Sequence, residues 1–367
     1  MKISIGSRII HGPWGGGNLF VINLSNFLIQ NGHEVVYDLS HKDIDLILLT
    51  DPRAKNESTS KFNHSDILKY KKYVNSNVTV VQRINECDER KDTSGINNFY
   101  LEASKCADKV IFVSKWLASI YNKLGLEKDK TIIIMSGSDN NIFSPSSMDI
   151  NLPKKFSLVT HHWSSHHNKG FDTYNMIDES LNNQKWKNLI EFTYIGNLSD
   201  NQNFKNIKVL KPLSGIDLAK ELKKHHIYVT GSINEPSGNH HIEGALCGLP
   251  ILYKKSGGIP EYCNGFGEAF ENNFFEKLEL IINNYSQYKT KIKNYPYISE
   301  KMCQEYLDLF NYLILNKEHF SVKETQKAKV LSLLFRVKHK VVDNFLVFLK
   351  EQLKNKIVKS FNIIRRK

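Results

Sequence analysis

Residues 235–252 read Glu-Pro-Ser-Gly-Asn-His-His-Ile-Glu-Gly-Ala-Leu-Cys-Gly-Leu-Pro-Ile-Leu and directly follow an apolar, β-branched run at 227–230. The run has the length and composition of a buried strand, and the Pro-Ser-Gly sequence indicates a turn. A helix is predicted to begin near Asn239, and Gly-Leu-Pro ends it before a further strand at 251–253. A strand, a turn and a helix in this order predict one unit of a parallel α/β sheet.

The same alternation extends outward over most of the chain. Strands are predicted at 3–5, 35–37, 44–49, 78–81, 110–113, 131–135, 156–160, 189–195, 207–209, 227–230 and 251–253. Helices are predicted at 19–28, 99–107, 116–124, 172–181, 215–223, 239–247, 274–283 and 301–315. A polar, proline-bearing segment at 144–155 is the predicted domain linker. The fold class is therefore α/β, with two Rossmann-like, doubly wound domains that face a cleft.

The positive charge of the chain is concentrated at its C-terminal end. The whole chain has 50 basic residues (Lys/Arg) and 38 acidic residues (Asp/Glu). Residues 321–367 contain thirteen of the basic and three of the acidic residues. Residues 1–320 therefore contain 37 basic and 35 acidic residues and are nearly neutral. A neutral body argues against nucleic acid as a partner. Apolar residues recur in the tail at helical steps: Val330, Leu334, Val337, Val341, Phe345, Phe348, Leu353 and Ile357. This pattern predicts C-terminal basic amphipathic helices and favours an anionic membrane surface as a partner. The alternative is that the helices pack on the first domain or on a partner chain.

The cysteines and histidines indicate which cellular compartment the protein occupies and whether it holds a metal. The five cysteines form no Cys-x-x-Cys pair, which favours a reducing compartment over a disulfide framework or a zinc ribbon. No apolar run is long enough to cross a bilayer, and no signal-peptide pattern precedes the first strand. We therefore expect a cytoplasmic protein, peripheral at a membrane if the tail binds lipid. The paired histidines lack partners at zinc-finger spacing, so we expect no metal, with His162 and His240 lining the cleft.

Two features suit the binding of an anion and a sugar. The helix that begins near Asn239 offers free backbone N–H groups and a positive dipole end, which suit a diphosphate. Glu235 precedes this helix and Glu243 lies about one turn inside it, so both carboxylates can accept hydrogen bonds from sugar hydroxyls in one cleft. The glycine-rich turn at 15–17 also allows a backbone to approach a ligand closely, although a simple flexible turn is the alternative interpretation.

Glu235 and Glu243 are separated by seven residues and followed by Ala-Leu-Cys-Gly-Leu-Pro. This segment resembles the Glu-x(7)-Glu signature of retaining GT-B glycosyltransferases, the family 4-like, group 1 glycosyl transferases. The resemblance covers about 300 residues and leaves out the basic tail. It implies that Glu243 binds the donor ribose and that Glu235 lies beside the donor sugar. It also implies that the donor site is completed by the residues that open the helix: Ser237, Gly238, Asn239 and His240.

A second segment supports the same resemblance. Residues 159–172 are similar to the strand and loop of these enzymes that end in Lys-Gly. The resemblance implies that Lys169 meets the donor diphosphate and stabilises it, as a point cation, while it leaves. The family often has an arginine a few residues earlier, but this chain has Trp-Ser-Ser at 163–165. This departure leaves two alternatives open: the diphosphate is held by two cations, or it is held by Lys169 aided by a histidine.

The first domain supplies the remaining candidates. The resemblance implies that Gly16 and Gly17 belong to a loop that faces the donor phosphates and the acceptor. Retaining members often carry a histidine near the end of the fourth strand, and this chain has none there. The polar side chains at that strand end are Arg83, Asn85 and Asp88, which are the candidates for contact with the sugar or the acceptor. A solvated loop with local ion pairs is the alternative.

The resemblance implies a hexosyltransferase-type enzyme that transfers a sugar from a nucleotide-sugar to a hydroxyl of a glycan or lipid-linked acceptor, with retention and without a cofactor. We predict an acceptor-side domain at 1–150, a donor-binding domain at 151–300, a closing helix at 301–320 and a basic tail at 321–367. Two alternatives stay open from the sequence. One is a catalytically silent nucleotide-sugar-binding module, and the other is a GT-B nucleotide-sugar epimerase or hydrolase.

Overall fold

A computed structural model describes residues 1–10, 15–53, 59–145, 153–199, 202–317 and 326–342. Within these ranges, each predicted strand and helix corresponds to an observed one. Most of the predicted linker at 144–155 lies outside the described residues, as do residues 11–14 of the glycine-rich turn.

Two six-stranded sheets form the framework. The first contains β1 (Lys2–Ile5), β2 (Glu34–Val36), β3 (Leu46–Leu49), β4 (Thr79–Ile84), β5 (Lys109–Phe112) and β6 (Thr131–Ile133). The second contains β7 (Phe156–His162), β8 (Ile190–Gly196), β9 (Lys208–Leu210), β10 (Ile227–Thr230), β11 (Ile251–Lys254) and β12 (Gly267–Phe270). All pairs are parallel, in the orders β2-β1-β3-β4-β5-β6 and β12-β11-β10-β7-β8-β9. In the second sheet, β8 and β9 follow β7 toward one edge, whereas β11 and β12 follow β10 toward the other edge. The strand order therefore reverses between β7 and β10.

Thirteen α-helices of the described residues cover the sheets. Those of the first half are α1 (Gly16–Gln30), α2 (His64–Tyr73), α3 (Ile96–Ser104) and α4 (Lys115–Lys123). Those of the second half are α5 (Phe171–Ser180), α6 (Gln184–Leu189), α7 (Gly215–Leu222), α8 (Asn239–Leu246), α9 (Ile259–Cys263), α10 (Phe274–Asn283) and α11 (Tyr285–Ile292). The C-terminal helices are α12 (Ser299–Leu315) and α13 (Gln326–Val337).

Burial on both faces explains the composition of the central strands. Every residue of β3 and β4 is buried, and β3 is the continuous apolar run Leu-Ile-Leu-Leu. A parallel sheet covered by helices on both sides requires such runs, since neither face meets water. Each sheet accordingly has a separate apolar cluster on each of its two faces. The polar exceptions within β4, Gln82 and Arg83, lie at the end of the strand that approaches the cleft.

The helix α2 lies outside the predicted pattern. Its start carries a capping box, in which the side chain of Asn63 accepts from Asp66 N at 3.1 Å and the Asp66 carboxylate accepts from Asn63 N at 3.2 Å. Only Ile67 and Tyr70 provide a buried apolar stripe. A stripe this short gives little helical periodicity, and the capping box is the signal that could have identified the helix.

Two C-terminal helices return to the first domain. The helix α12 packs on α1, where the rings of Phe20 and Tyr306 lie 5.2 Å apart. The helix α13 contacts α2 through Phe335, whose ring centre is 6.2 Å from that of Tyr70, and it continues as a π-helical turn at Lys338–Val342. The predicted tail beyond residue 342 lies outside the described residues. No helix in the described ranges combines the length and apolarity needed to cross a bilayer.

Candidate functional site

A cleft of about 1320 Å³ lies between the two domains and is lined by residues of both. The members from the second domain follow β7 and β10, between which the strand order reverses, and ligands of open parallel sheets bind at such points. The structure brings together here every candidate site residue except Asp88: Gly16, Gly17, Arg83, Asn85, His162, Lys169, Glu235, Ser237, Gly238, Asn239, His240 and Glu243.

Two helix N-termini meet in this cleft. Gly16 is the first residue of α1 and Asn239 is the first of α8, and a Cβ atom added to Gly16 would lie 3.1 Å from Cγ of Asn239. Among the described residues, no side chain caps the free N–H groups of either helix, and the residues before the two helices are Gly15 and Gly238. Unsatisfied donors and two positive dipole ends therefore face the same region, which suits an anion.

A buried ion-pair cluster occupies the floor of the cleft. The ammonium of Lys169 pairs with the carboxylate of Glu235, and the guanidinium of Arg90 reaches the same carboxylate from the first domain, with Nε 3.2 Å from Oε1. Burial alone would raise the pKa of Glu235, but the two cations outweigh it and hold this pKa at about 2. Burial also lowers the pKa of Lys169, against the opposing effect of Glu235. Glu235 is therefore an ionised acceptor.

The second carboxylate, Glu243, has a different partner. Its Oε2 atom is 2.9 Å from Nε2 of His161, whose Nδ1 is 3.1 Å from the hydroxyl of Tyr228. This chain of contacts fixes the orientation of a carboxylate that is only 7% exposed. Glu235 and Glu243 thus lie in one cleft but are held by different groups, so they can contact different parts of one ligand.

Neutral imidazoles line the wall beside these carboxylates. His162 Nε2 is 2.7 Å from the hydroxyl of Tyr174, and His240 Nε2 is 2.9 Å from Oγ1 of Thr230. Burial lowers the pKa of both histidines well below the usual value, and it lowers the pKa of His241 to about 3. Uncharged rings can donate to or accept from sugar hydroxyls without adding charge to the site.

Arg83 and Asn85 also line the cleft, at the end of β4. The guanidinium carbon of Arg83 lies 4.0 Å from the ring centre of Phe20, and the side chain is buried. No carboxylate of the described residues forms an ion pair with it, and its Nε atom has no hydrogen-bond partner. Arg83 therefore adds positive charge to the first-domain wall.

Asp88, the third candidate after β4, stabilises local structure and does not join Arg83 and Asn85 in the cleft. Its carboxylate accepts from the backbone N–H groups of Ile96 and Asn97 at 2.9 and 3.0 Å, which are the first residues of α3. It also accepts from the hydroxyl of Thr93 at 2.9 Å. Asp88 thus stabilises the start of α3 and does not line the cleft, so its candidacy for contact with a sugar or acceptor is not supported.

We expect no metal from the sequence, and the described part of the chain contains one group of side chains that could hold one. Asp92, His166 and His167 have ligand atoms that all lie within 4.8 Å of one another. Asp92 and His167 are exposed and already pair with each other at 3.0 Å. Such exposed groups are common without a metal, and this one lies outside the residues that line the cleft.

Direct contacts hold the two domains together. The carboxylate of Glu261, on α9 of the second domain, accepts from the backbone N–H groups of Lys115 and Trp116 at 2.8 and 2.7 Å. It therefore caps α4 of the first domain, and a carboxylate is favourable at that end of a helix. The hydroxyl of Tyr262 adds a bond to the carbonyl of Val113.

His161 and Arg90 contact the carboxylates of Glu243 and Glu235, and neither is among the candidates that the sequence provides. His161 neighbours a predicted residue in β7, but alternation along the strand predicts that it points away. Arg90 belongs to the polar segment after β4, and its position opposite Glu235 depends on how the domains meet. The polar cluster of Glu86, Arg90 and Lys91 after β4 could have suggested Arg90 as a site residue. No local pattern indicates that its partner in the second domain is Glu235.

Comparisons with known proteins extend these observations. No family model matches the chain. A curated relative is the phosphatidylinositol N-acetylglucosaminyltransferase gpi3 subunit of Schizosaccharomyces pombe, which is 31% identical over 74 residues. This match spans 19% of the chain and 16% of that relative, so it relates one segment and not the whole protein.

Solved structures match over far more of the chain. HepE from Anabaena, solved with UDP and glucose, has a TM-score of 0.61 at 16% identity, over 85% of this chain and 100% of that one. Sucrose-phosphate synthase from Thermosynechococcus elongatus has a TM-score of 0.62 at 14% identity, over 86% and 99% of the two chains. WaaG, a glycosyltransferase involved in lipopolysaccharide biosynthesis, has a TM-score of 0.58 at 12% identity, over 84% and 99%. This chain therefore has the GT-B fold.

Proposed function

We propose that this protein is a retaining glycosyltransferase that moves a sugar from a nucleotide-sugar to a hydroxyl of a glycan or lipid-linked acceptor. The observation that carries the proposal is the convergence of Glu235, Glu243 and Lys169 on the two uncapped helix N-termini of one cleft. The structural neighbours include HepE crystallised with UDP-glucose. The short match to an N-acetylglucosaminyltransferase subunit favours a hexose-type donor.

Each group has a proposed role in donor binding. The N-termini of α1 and α8, at Gly16 and Asn239, would hold the diphosphate together with Lys169. Glu243 would accept from the ribose hydroxyls. Glu235 would accept from hydroxyls of the transferred sugar, with His162 and the other neutral imidazoles beside it. Positive charge from the protein makes a metal unnecessary in this scheme.

The proposed reaction exchanges one bond at the anomeric carbon for another. The bond from this carbon to the diphosphate oxygen breaks, and the acceptor oxygen bonds to the same face of the sugar. The acceptor proton passes to the departing diphosphate oxygen, so no protein base is required. Charge grows on the diphosphate as it leaves, and Lys169 with the two helix N-termini stabilises that charge. Closure of the cleft would exclude water as a competing acceptor.

Nucleotide-sugar binding tests the proposal. We expect wild-type protein to bind one of UDP-glucose, GDP-mannose or ADP-glucose in calorimetry, and Glu243→Ala to weaken that binding roughly 10- to 100-fold, because a charged hydrogen-bond acceptor is lost. Glu179→Ala, which removes an exposed glutamate of α5, is the matched control and should bind like wild type. Failure of the folded wild type to bind any nucleotide-sugar or its diphosphate would contradict the proposed function.

An anionic membrane surface is the proposed location, on the cytoplasmic side. The helix α13 and the π-helical turn after it bury Ser332, Phe335 and His339 on the side that contacts α2, and they turn an apolar face outward. The members of that outward face are 48–61% exposed: Val330, Leu334, Val337 and Val341. Exposed Lys338 and Lys340 flank it. An outward apolar stripe bordered by cations suits insertion among anionic headgroups. The five cysteines, all free, suit a reducing compartment.

Vesicle sedimentation tests this location. We expect the protein to sediment with phosphatidylglycerol vesicles more than with phosphatidylcholine vesicles. Leu334→Glu combined with Val337→Glu should lower the partition coefficient at least tenfold, because two apolar insertions are lost. Leu315→Glu changes another exposed leucine, on α12, and should leave binding unchanged. Equal binding by the double variant and the wild type would contradict membrane contact through α13.

A further inference from the structure

Arg90 is a cation of the first domain that contacts the Glu235 carboxylate in the proposed donor site. It ends a short 3-10 turn at Asp88–Arg90, directly after β4, and its side chain is 23% exposed. Its Nη1 atom is 3.2 Å from Oε2 of Glu86 in its own domain, and its Nε atom is 3.2 Å from Oε1 of Glu235 in the other. Arg90 therefore bridges the two walls of the cleft.

The guanidinium of Arg90 is hydrogen-bonded at Nη1, which donates to both carboxylate oxygens of Glu86 at 3.3 and 3.2 Å. Its buried Nε–H has no aligned hydrogen-bond acceptor among the described residues, although a carboxylate oxygen lies 3.2 Å away. Arginine presents parallel N–H groups that match a phosphate in two-point contact. An incompletely bonded guanidinium beside two helix N-termini is therefore available for such a contact.

The backbone around Arg90 is already docked on the second domain. The side-chain amide of Asn168 donates to the Arg90 carbonyl at 3.3 Å, and that of Asn234 donates to the Glu89 carbonyl at 3.2 Å. Asn234 and Asp92, which flank this contact, are the two non-glycine residues of the described chain with positive φ, at 51° and 52°. Backbone strain on both facing loops indicates that their conformations are fixed by this contact.

The cluster around Glu235 contains three cations and two carboxylates. Arg90 and Lys169 contact Glu235, and Arg90 and Lys91 contact Glu86. Glu235 is therefore paired with one cation from each domain, Arg90 and Lys169. A diphosphate would compete for both cations, and its binding would release the Glu235 carboxylate toward the sugar.

We infer that Arg90 is the second diphosphate-binding cation of this protein, supplied by the first domain. It stands in for the arginine that the loop at 163–165 lacks, where Trp163 is 48% exposed and no residue is charged. This inference rests on the proposed function. It adds that the diphosphate site is complete only when the domains are in contact, and that diphosphate binding moves Arg90 and Lys169 from Glu235 to phosphate.

The experiment compares the affinity for a nucleoside diphosphate with the affinity for the corresponding nucleoside. UDP and uridine are measured first, and GDP and ADP are measured with their nucleosides if the wild type binds neither UDP nor uridine. Arg90→Gln should weaken diphosphate binding in calorimetry roughly 10- to 100-fold and leave nucleoside binding unchanged. Arg90→Lys should recover part of the loss, since it keeps the charge but not the two-point geometry. Lys123→Gln is the control, because Lys123 is an exposed lysine on α4 of the same domain and does not line the cleft. It should change binding less than threefold.

The outcomes separate this inference from the proposed function. If wild type binds the diphosphate and Arg90→Gln binds it equally well, with an unchanged thermal unfolding midpoint, Arg90 is not a phosphate ligand and the inference is overturned while the proposed function stands. The same holds if Arg90→Gln weakens the nucleoside as much as the diphosphate. If folded wild type binds no diphosphate, the proposed function fails and the inference fails with it.

Discussion

Replacing Lys169 with methionine is expected to lower kcat/KM for sugar transfer roughly 100- to 1,000-fold, as the loss of one preorganised charge at a developing anion does in other enzymes. Methionine keeps much of the length of a side chain that is 13% exposed, so packing is largely retained. The charge is what disappears. Because negative charge grows on the diphosphate as the sugar departs, most of the loss should fall on kcat.

The control for this substitution is Lys187→Met, which changes an exposed lysine on α6. It should retain wild-type activity. Thermal unfolding of both variants is required, because Lys169→Met leaves Glu235 with Arg90 as its remaining cation. Wild-type kcat in a folded Lys169→Met variant would remove Lys169 from the mechanism. A rise in KM with unchanged kcat would restrict it to donor binding.

The sequence is sufficient to predict the fold because its decisive features are local. The run at 227–230, the Pro-Ser-Gly turn and the helix after it are specified by composition and spacing, and the structure confirms β10 and α8 in those places. The rule that ligands bind where strand order reverses then brings Lys169 and Glu235 to one cleft, although 66 residues separate them in the chain.

The features of the site that cannot be predicted from the sequence are contacts between distant segments. Arg90 and Glu235 meet because a loop of one domain docks on a loop of the other, and no local pattern contains that information. His161 meets Glu243 because the cleft lies at the carboxyl end of β7, where the last two side chains of the strand, His161 and His162, both line it. Element boundaries and periodicity are local properties, whereas these pairings are tertiary.

The helix α13 is a second case in which the sequence predicts a local pattern but not the contacts that it makes. Periodicity predicts an apolar stripe over residues 330–341, but it does not reveal what the stripe faces. The stripe that includes Val330 and Leu334 faces outward, and the contact with α2 is made through Phe335 and His339. Most helices of soluble domains bury the apolar stripe. The reversed orientation is what makes a lipid surface the proposed partner.

Gly238→Ala is expected to lower sugar transfer roughly 100-fold, because small displacements of substrate-positioning groups have effects of that size. Gly238 has φ 76°, a conformation that side chains other than glycine rarely adopt. An added Cβ would lie 2.6 Å from Cε1 of His240 and 3.1 Å from Cγ of Glu235. The methyl group must therefore displace an imidazole and a carboxylate of the site, and the strain costs about 1–3 kcal/mol in unfolding free energy.

Gly265→Ala separates local displacement from backbone strain. Gly265 has a similar φ of 86°, but no atom lies within 4 Å of its added Cβ, and it does not line the cleft. This variant should lose about 1 kcal/mol of unfolding free energy and keep wild-type donor binding and kcat. If both variants lose activity in proportion to their stability, the effect of Gly238→Ala is unfolding. If only Gly238→Ala loses activity while folded, the turn before α8 positions Glu235 and His240, and the donor site depends on a glycine that contributes no side chain.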